Sequence, residues 1–202
     1  MFLIPLYAYV IAMFATHVWC IMLYSGLYDG QPGFKVKPET ILGHVTFTVV
    51  ISFFGGISSI AGHELVHHKE WYNKAMGTLP YTQFCYSHFW DEHTRGHHKY
   101  ISTPEDPVSH DIGTDLYTAV AKAVVLTHVK TWEREQDRLS NCNNPIQRFA
   151  SNRMVHYFLL HTCILGAVYY FFGSGGLKFH AAFIVTGLFC MEVANYLEHY
   201  GL

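Results

Sequence analysis

Charge is what this sequence has least of. Only 14% of its 202 residues are Asp, Glu, Lys or Arg, against about 25% in an ordinary soluble domain. The formal net charge of −2 points to no partner of either sign. There is no basic stripe with interleaved aromatics, which excludes an evident nucleic-acid surface, no glycine-rich phosphate loop and no internal repeat. Cysteine is equally uninformative as chemistry. Cys20, Cys85, Cys142, Cys163 and Cys190 are odd in number, scattered and without a C-x-x-C pair. They read as packing residues and exclude a disulfide framework. The first apolar run also lacks the parts of a cleaved leader: it has no basic start, carries Pro5, is too long and offers no small-x-small site.

What is abundant is apolar surface, with hydrophobic residues at 50% and aromatics at 16%. It is blocked into long runs. Phe2 to Leu27 and Thr40 to His63 contain no charged residue, and each is long enough to cross about 30 Å of hydrocarbon as a helix. Val155 to Phe172 and Phe179 to Leu197 read as a third and a fourth span, the last interrupted by Glu192 and Asn195. The expected fold class is therefore all-α, a multi-span transmembrane bundle of about four spans forming one integral-membrane domain over residues 1–202. A turn over 28–33 and a linker with Lys35, Lys37 and Pro38 separate the first two spans. Trp71 to Tyr81 suggests an interfacial bend, Tyr81 to Trp90 a short helix, Ser102 to Pro107 a loop, and Asp115 to Leu139 a helix.

Of 13 Lys and Arg, ten fall between Lys69 and Arg153, so the positive-inside bias places this central segment in the cytoplasm. Span two then delivers His63 to the inner face, and span four delivers His199 to the same face.

Histidine is the residue that stands out. His63, His67 and His68 crowd one short window; His93, His97 and His98 crowd another. On an α-helix His63 and His67, like His93 and His97, are i, i+4 neighbours able to offer two imidazoles to one metal. Imidazole donors suit Fe, Zn, Cu or Ni and argue against Ca²⁺ or Mg²⁺. His17, His44, His128, His156, His161 and His180, by contrast, read as core or interfacial residues. Taken alone, His63-Glu64-Leu65-Val66-His67 also matches the H-E-x-x-H signature of an intramembrane zinc protease, but that reading leaves the second window unused.

Three stretches together carry a more specific likeness: His63 to Lys69; Glu92-His93-Thr94-Arg95-Gly96-His97-His98 running into Thr103-Pro104-Glu105-Asp106-Pro107; and Asn195-Tyr196-Leu197-Glu198-His199-Tyr200-Gly201-Leu202. They resemble the membrane-bound alkane 1-monooxygenases (alkane hydroxylases), within the histidine-box fatty acid desaturase and hydroxylase superfamily. The resemblance extends over nearly the whole chain, including Trp132 to Leu139. It implies a six-span bundle with two non-haem iron ions that uses O₂ to hydroxylate the terminal carbon of an alkane. Electrons would come from rubredoxin and its reductase, and the enzyme would sit in the inner or plasma membrane with its metal site facing the cytoplasm.

Carried over position by position, the likeness implies His63, His67, His93, His97, His98 and His199 as metal ligands. Glu64, Glu92 and Glu198 would be carboxylates orienting those imidazoles. His68 stands where the family has a basic residue. The family also continues past this last stretch to a further L-x-R-H-x-x-H-H box with three more ligands, which the sequence to Leu202 does not contain, and it has an earlier pair of spans. The expectation is therefore a piece of a longer protein, with the second iron site incomplete and activity of these 202 residues alone in question. Related lipid hydroxylases or desaturases are the neighbouring alternative.

Overall fold

The computed structural model describes residues 3–29 and 37–202. Most of the turn over 28–33, and Lys35 in the linker, lie outside the described residues. No strand occurs among those described; the chain is helical, with one isolated bridge between His110 and Tyr200. The helices are α1 Ile4–Tyr24, α2 Ile41–Val66, α3 Trp71–Gln83, α4 Phe89–Glu92, a π-helical segment His93–His97, α5 His98–Tyr100, α6 Leu116–Arg138, α7 Pro145–Ala150 and α8 Arg153–His199.

Local chemistry sets these boundaries. Pro5 falls in the first turn of α1, where its missing N–H is not needed. Thr40 caps α2, its hydroxyl accepting from Gly43 N at 3.0 Å. Asp115, Asn144 and Asn152 cap α6, α7 and α8 in the same manner. Among the described residues, three helices are long and apolar enough to cross a membrane: α1, α2 and α8. Only 33%, 39% and 33% of their apolar windows are buried, so large side chains such as Phe14, Val49, Phe53, Leu159, Tyr170 and Val185 stay uncovered. That is the surface lipid requires.

The 47 residues of α8 combine the expected third and fourth spans. Gly173 interrupts them with φ 63° and ψ −167°, a conformation essentially reserved for glycine. Residues 153–161 and 191–199 belong to one compact unit and 162–190 to another. A straight helix of that length, about 70 Å at 1.5 Å per residue, could not return both ends to one unit. The chain thus reverses at Gly173, which makes two membrane-length helices out of one element.

The first unit comprises residues 1–85 and 162–190. Val10, Ala61 and Leu65 form its small core, with Leu6, Tyr7, Met76 and Leu79 packed around them. α2 and α3 meet at two glycines: a Cβ on Gly62 would lie 2.5 Å from the Gly77 carbonyl oxygen, and one on Gly77 would lie 2.6 Å from that of Gly62. Tyr81 donates to Ser59 O at 2.7 Å, closing the same seam. This packing explains why residues 71–83 form a helix and not the expected bend. Pro80 comes only three residues from its end, and the buried crossing at Gly77 outweighs the local break. The short helix expected over 81–90 is interrupted instead, because Cys85 takes φ 55° between α3 and α4.

The second unit comprises residues 86–161 and 191–202. Ion pairs tie its pieces together: Asp91 receives Arg95 at 2.9 Å and Arg153 at 3.2 Å, and Glu135 receives Arg138 at 2.7 Å. The N-terminal end of α8 is fixed by the Arg153 backbone N–H, which donates to Glu135 Oε2 at 2.8 Å.

Candidate metal centre

In the first unit, the last turn of α2 carries His63 and His67 with their Nε2 atoms 3.2 Å apart and rings nearly perpendicular, 4.8 Å between centroids. The partial negative charge of a helix C-terminus favours a cation there. Gly62, immediately before His63, cannot accept a side chain without parting α2 from α3, so the backbone behind this pair is firmly placed. Glu64 points outward, 62% exposed, and lies 3.9 Å from His68.

In the second unit the other window departs from α-helical geometry. Residues 93–97 wind as a π-helix, which adds nearly one residue per turn and brings i and i+5 together. His93 and His98 are the result, with Nε2 atoms 2.9 Å apart and rings edge-on at 4.5 Å. His93 and His97 are stacked at 5.2 Å. The i, i+4 reading of this window therefore gives way to an i, i+5 pair, and π segments recur at functional sites. His63 with His67, and His93 with His98, are donor pairs able to hold a metal ion.

His97 is buried and anchored. Its Nδ1 donates to Asp106 Oδ2 at 2.9 Å, which leaves Nε2 as the nitrogen able to serve as a ligand. Burial alone would raise the Asp106 carboxyl, but hydrogen bonds from His97 and Ser109 outweigh it and hold the group below its ordinary value. His199 meets His97 edge-on at 4.6 Å and donates its own Nδ1 proton to Asn195 O at 2.8 Å. The loop that supplies Asp106 also clasps the end of α8. His110 N donates to His199 O at 3.4 Å, Gly201 N to His110 O at 2.7 Å, and Tyr196 OH to Thr114 O at 2.8 Å. One loop thus positions two histidines from different elements.

Glu92 is 1% exposed, and burial pushes its carboxyl up to about 7 despite the Arg134 guanidinium 3.4 Å away. That ion pair lies directly over Gly96, where any Cβ would collide with both Glu92 Oε1 and the Arg134 guanidinium. Glu198, by contrast, is exposed. Sequence reasoning passed over Asp106 and Arg134. Asp106 lies in a stretch read as a loop and as part of the family likeness but given no site role, and Arg134 is one of several charges at the end of α6 whose reach back to Glu92 is purely tertiary.

The donors fit a transition metal. Opposed Nε2 atoms at 2.9 and 3.2 Å can share at most one proton per pair, and a cation relieves the remaining lone-pair repulsion. An imidazole set oriented from behind by Asp106 suits iron among other first-row metals.

The sequence matches the fatty acid desaturase family over residues 39–202. It is 30% identical to alkane 1-monooxygenase 1 of Alcanivorax borkumensis over 93% of this chain and 46% of that protein. It is 31% identical to alkane 1-monooxygenase 1 of Pseudomonas aeruginosa over 73% of this chain and 38% of that protein. Similarity extends to the xylene/toluene monooxygenase hydroxylase component of Pseudomonas putida, 27% identical over 90% of this chain and 49% of that protein. The chain spans about half the length of the curated relatives it matches, 46% of the first two. Histidine windows placed beside membrane-length helices, together with this match, show that the chain belongs to the fatty acid desaturase family, in its alkane hydroxylase group.

Proposed function

We propose that the full-length protein is an integral-membrane non-haem di-iron monooxygenase that hydroxylates the terminal carbon of an alkane: RH + O₂ + 2 e⁻ + 2 H⁺ → ROH + H₂O. Rubredoxin and its reductase would supply the electrons. His63, His67, His93, His97, His98 and His199 would hold iron, with the metal site facing the cytoplasm. The two windows and His199 are assigned to one centre on the crossing order of the spans and on the family likeness.

The observation that carries this reading is the second window. Its π-helical turn presents His93 and His98 as a donor pair and leaves His97 oriented by Asp106, and the flanking sequence is that of the alkane hydroxylases. When bound, iron supplies O₂ activation. The chain's own residues hold the imidazoles in one tautomer, exclude water through the apolar packing of the spans and align a long apolar substrate. Each CH₂ of such a substrate gains about 0.8 kcal/mol on burial. A zinc protease would instead use Glu64 as a base, yet Glu64 stands exposed beside His68 and the second window would have no role.

The test uses the full-length protein loaded with iron and supplied with rubredoxin, reductase and NADH. An alkane is expected to yield the primary alcohol, and His97→Ala to abolish the product. Undiminished turnover by His97→Ala, or stoichiometric zinc in place of iron with peptide cleavage lost on Glu64→Gln, would defeat the assignment.

A further inference from the structure

Apart from the histidine windows, the second unit buries a second polar cluster that the ligand set does not use. Tyr86, His88 and Glu192 are each 1% exposed, and they come from the segment before α4 and from α8. The Tyr86 hydroxyl is bonded to Thr127 Oγ1 on α6 and lies within electrostatic reach of Glu192. Glu192 Oε2 accepts from Asn195 Nδ2 at 3.0 Å. The His88 ring lies 4.4 Å from Tyr86 and 3.8 Å from His128, which is only partly buried. His128 donates Nδ1–H to Val124 O at 2.8 Å, so its Nε2 remains available to accept a proton.

Three buried atoms here have no hydrogen-bond partner: His88 Nε2, Glu192 Oε1 and Glu92 Oε2. Leaving each bare is costly, whereas a buried water typically satisfies about three such groups. This cluster is the kind of site that holds water. Its hydroxyls can reorient: Thr127 Oγ1 has Val124 O as an acceptor at 3.2 Å, so the Tyr86 O–H can turn from Thr127 toward Glu192.

We propose that His128, His88, Tyr86 and Glu192 form a hydrated proton passage that opens at His128 and ends beside Glu92 of the candidate metal centre. The proposal rests on the monooxygenase reading, in which two protons are consumed for each alcohol and water formed, with two electrons supplied by way of rubredoxin. Each transfer forms an O–H or N–H bond on one side of a group and breaks one on the other, so the relay residues end unchanged. Arg134 and His161 are the other charged or titratable groups around His88, and Ser87 pairs with His161 Nε2 at 2.9 Å.

The experiment compares full-length wild type with Glu192→Gln, Tyr86→Phe and His128→Gln, each checked for unchanged metal content. Glu192→Gln should slow alcohol formation on the order of 10²-fold, raise the solvent deuterium isotope effect and release peroxide. His128→Gln, at a partly exposed position, should regain rate as a small protonated buffer such as imidazolium is added. Infrared spectra of the metal-free protein should show a deuterium-sensitive carboxylic-acid band that vanishes in Glu192→Gln and moves in Tyr86→Phe. Absence of that band, or wild-type coupling and isotope effect in the variants, overturns the passage. A protein that shows the band but makes no alcohol sinks the monooxygenase reading and leaves the Glu192–Tyr86 proton link standing.

Discussion

Asp106 shows how much one residue outside the histidine windows controls. Its Oδ2 takes both the His97 Nδ1 proton at 2.9 Å and the Ser109 hydroxyl at 2.6 Å, and its Oδ1 takes the Val108 N–H at 3.3 Å. The carboxylate is therefore held by two further donors besides the imidazole. Asp106→Asn keeps the shape and removes the charge, so His97 loses the partner that makes its Nε2 a stronger donor. Iron affinity of the full-length protein should fall by roughly 10–100-fold with little change in helix content. Titration of the metal-free variant measures this, and an affinity equal to wild type would mean that Asp106 serves only the loop. Nothing in the spacing of the sequence distinguished Asp106 from Glu105, because the hydrogen bond that matters closes only when residues 97 and 106 fold back on each other.

At the scale of elements, the regular helices were legible and the irregular one was not. Charge-free runs gave α1 and α2, and apolar periodicity gave α6, because burial and lipid contact act on every turn of a helix. The π-helical turn of residues 93–97 has no such period. Its cover is tertiary, the Glu92–Arg134 pair lying against Gly96. Gly96→Ala forces a methyl into that pair, and the turn must either shift or break its cover. A loss of about 1–3 kcal/mol in unfolding free energy is expected, the usual cost of overpacking, together with reduced iron occupancy. Arg134→Met tests the same cover from the other side, since it frees space at Gly96 but leaves Glu92 without its counter-charge; it should lower occupancy without the steric penalty. If both variants keep full occupancy, the turn owes its shape to the histidines themselves. α3 teaches a related lesson: Pro80 and the aromatic residues around Trp71 suggested a bend, and the crossing of Gly62 with Gly77 decided for a helix.

For the whole molecule, everything proposed about the metal centre depends on the number of membrane crossings between His63 and His199. The sequence divided residues 155–197 into two spans from composition alone; Gly173 supplies the physical means, since its φ of 63° and ψ of −167° turn the chain where no other residue would do so cheaply. Gly173→Ala should cost about 1–3 kcal/mol, seen as a lower melting temperature in detergent. The crossing itself is read by placing a single cysteine at Ser174 or at Glu198 in a cysteine-free background and labelling from each face of the membrane. Ser174→Cys should react from the face opposite to Glu198→Cys, because one span of about 20 residues separates the reversal from each end of α8. Equal labelling from one face would remove a crossing, carry His199 away from the face that receives His63, and leave the two histidine windows with no common metal to hold.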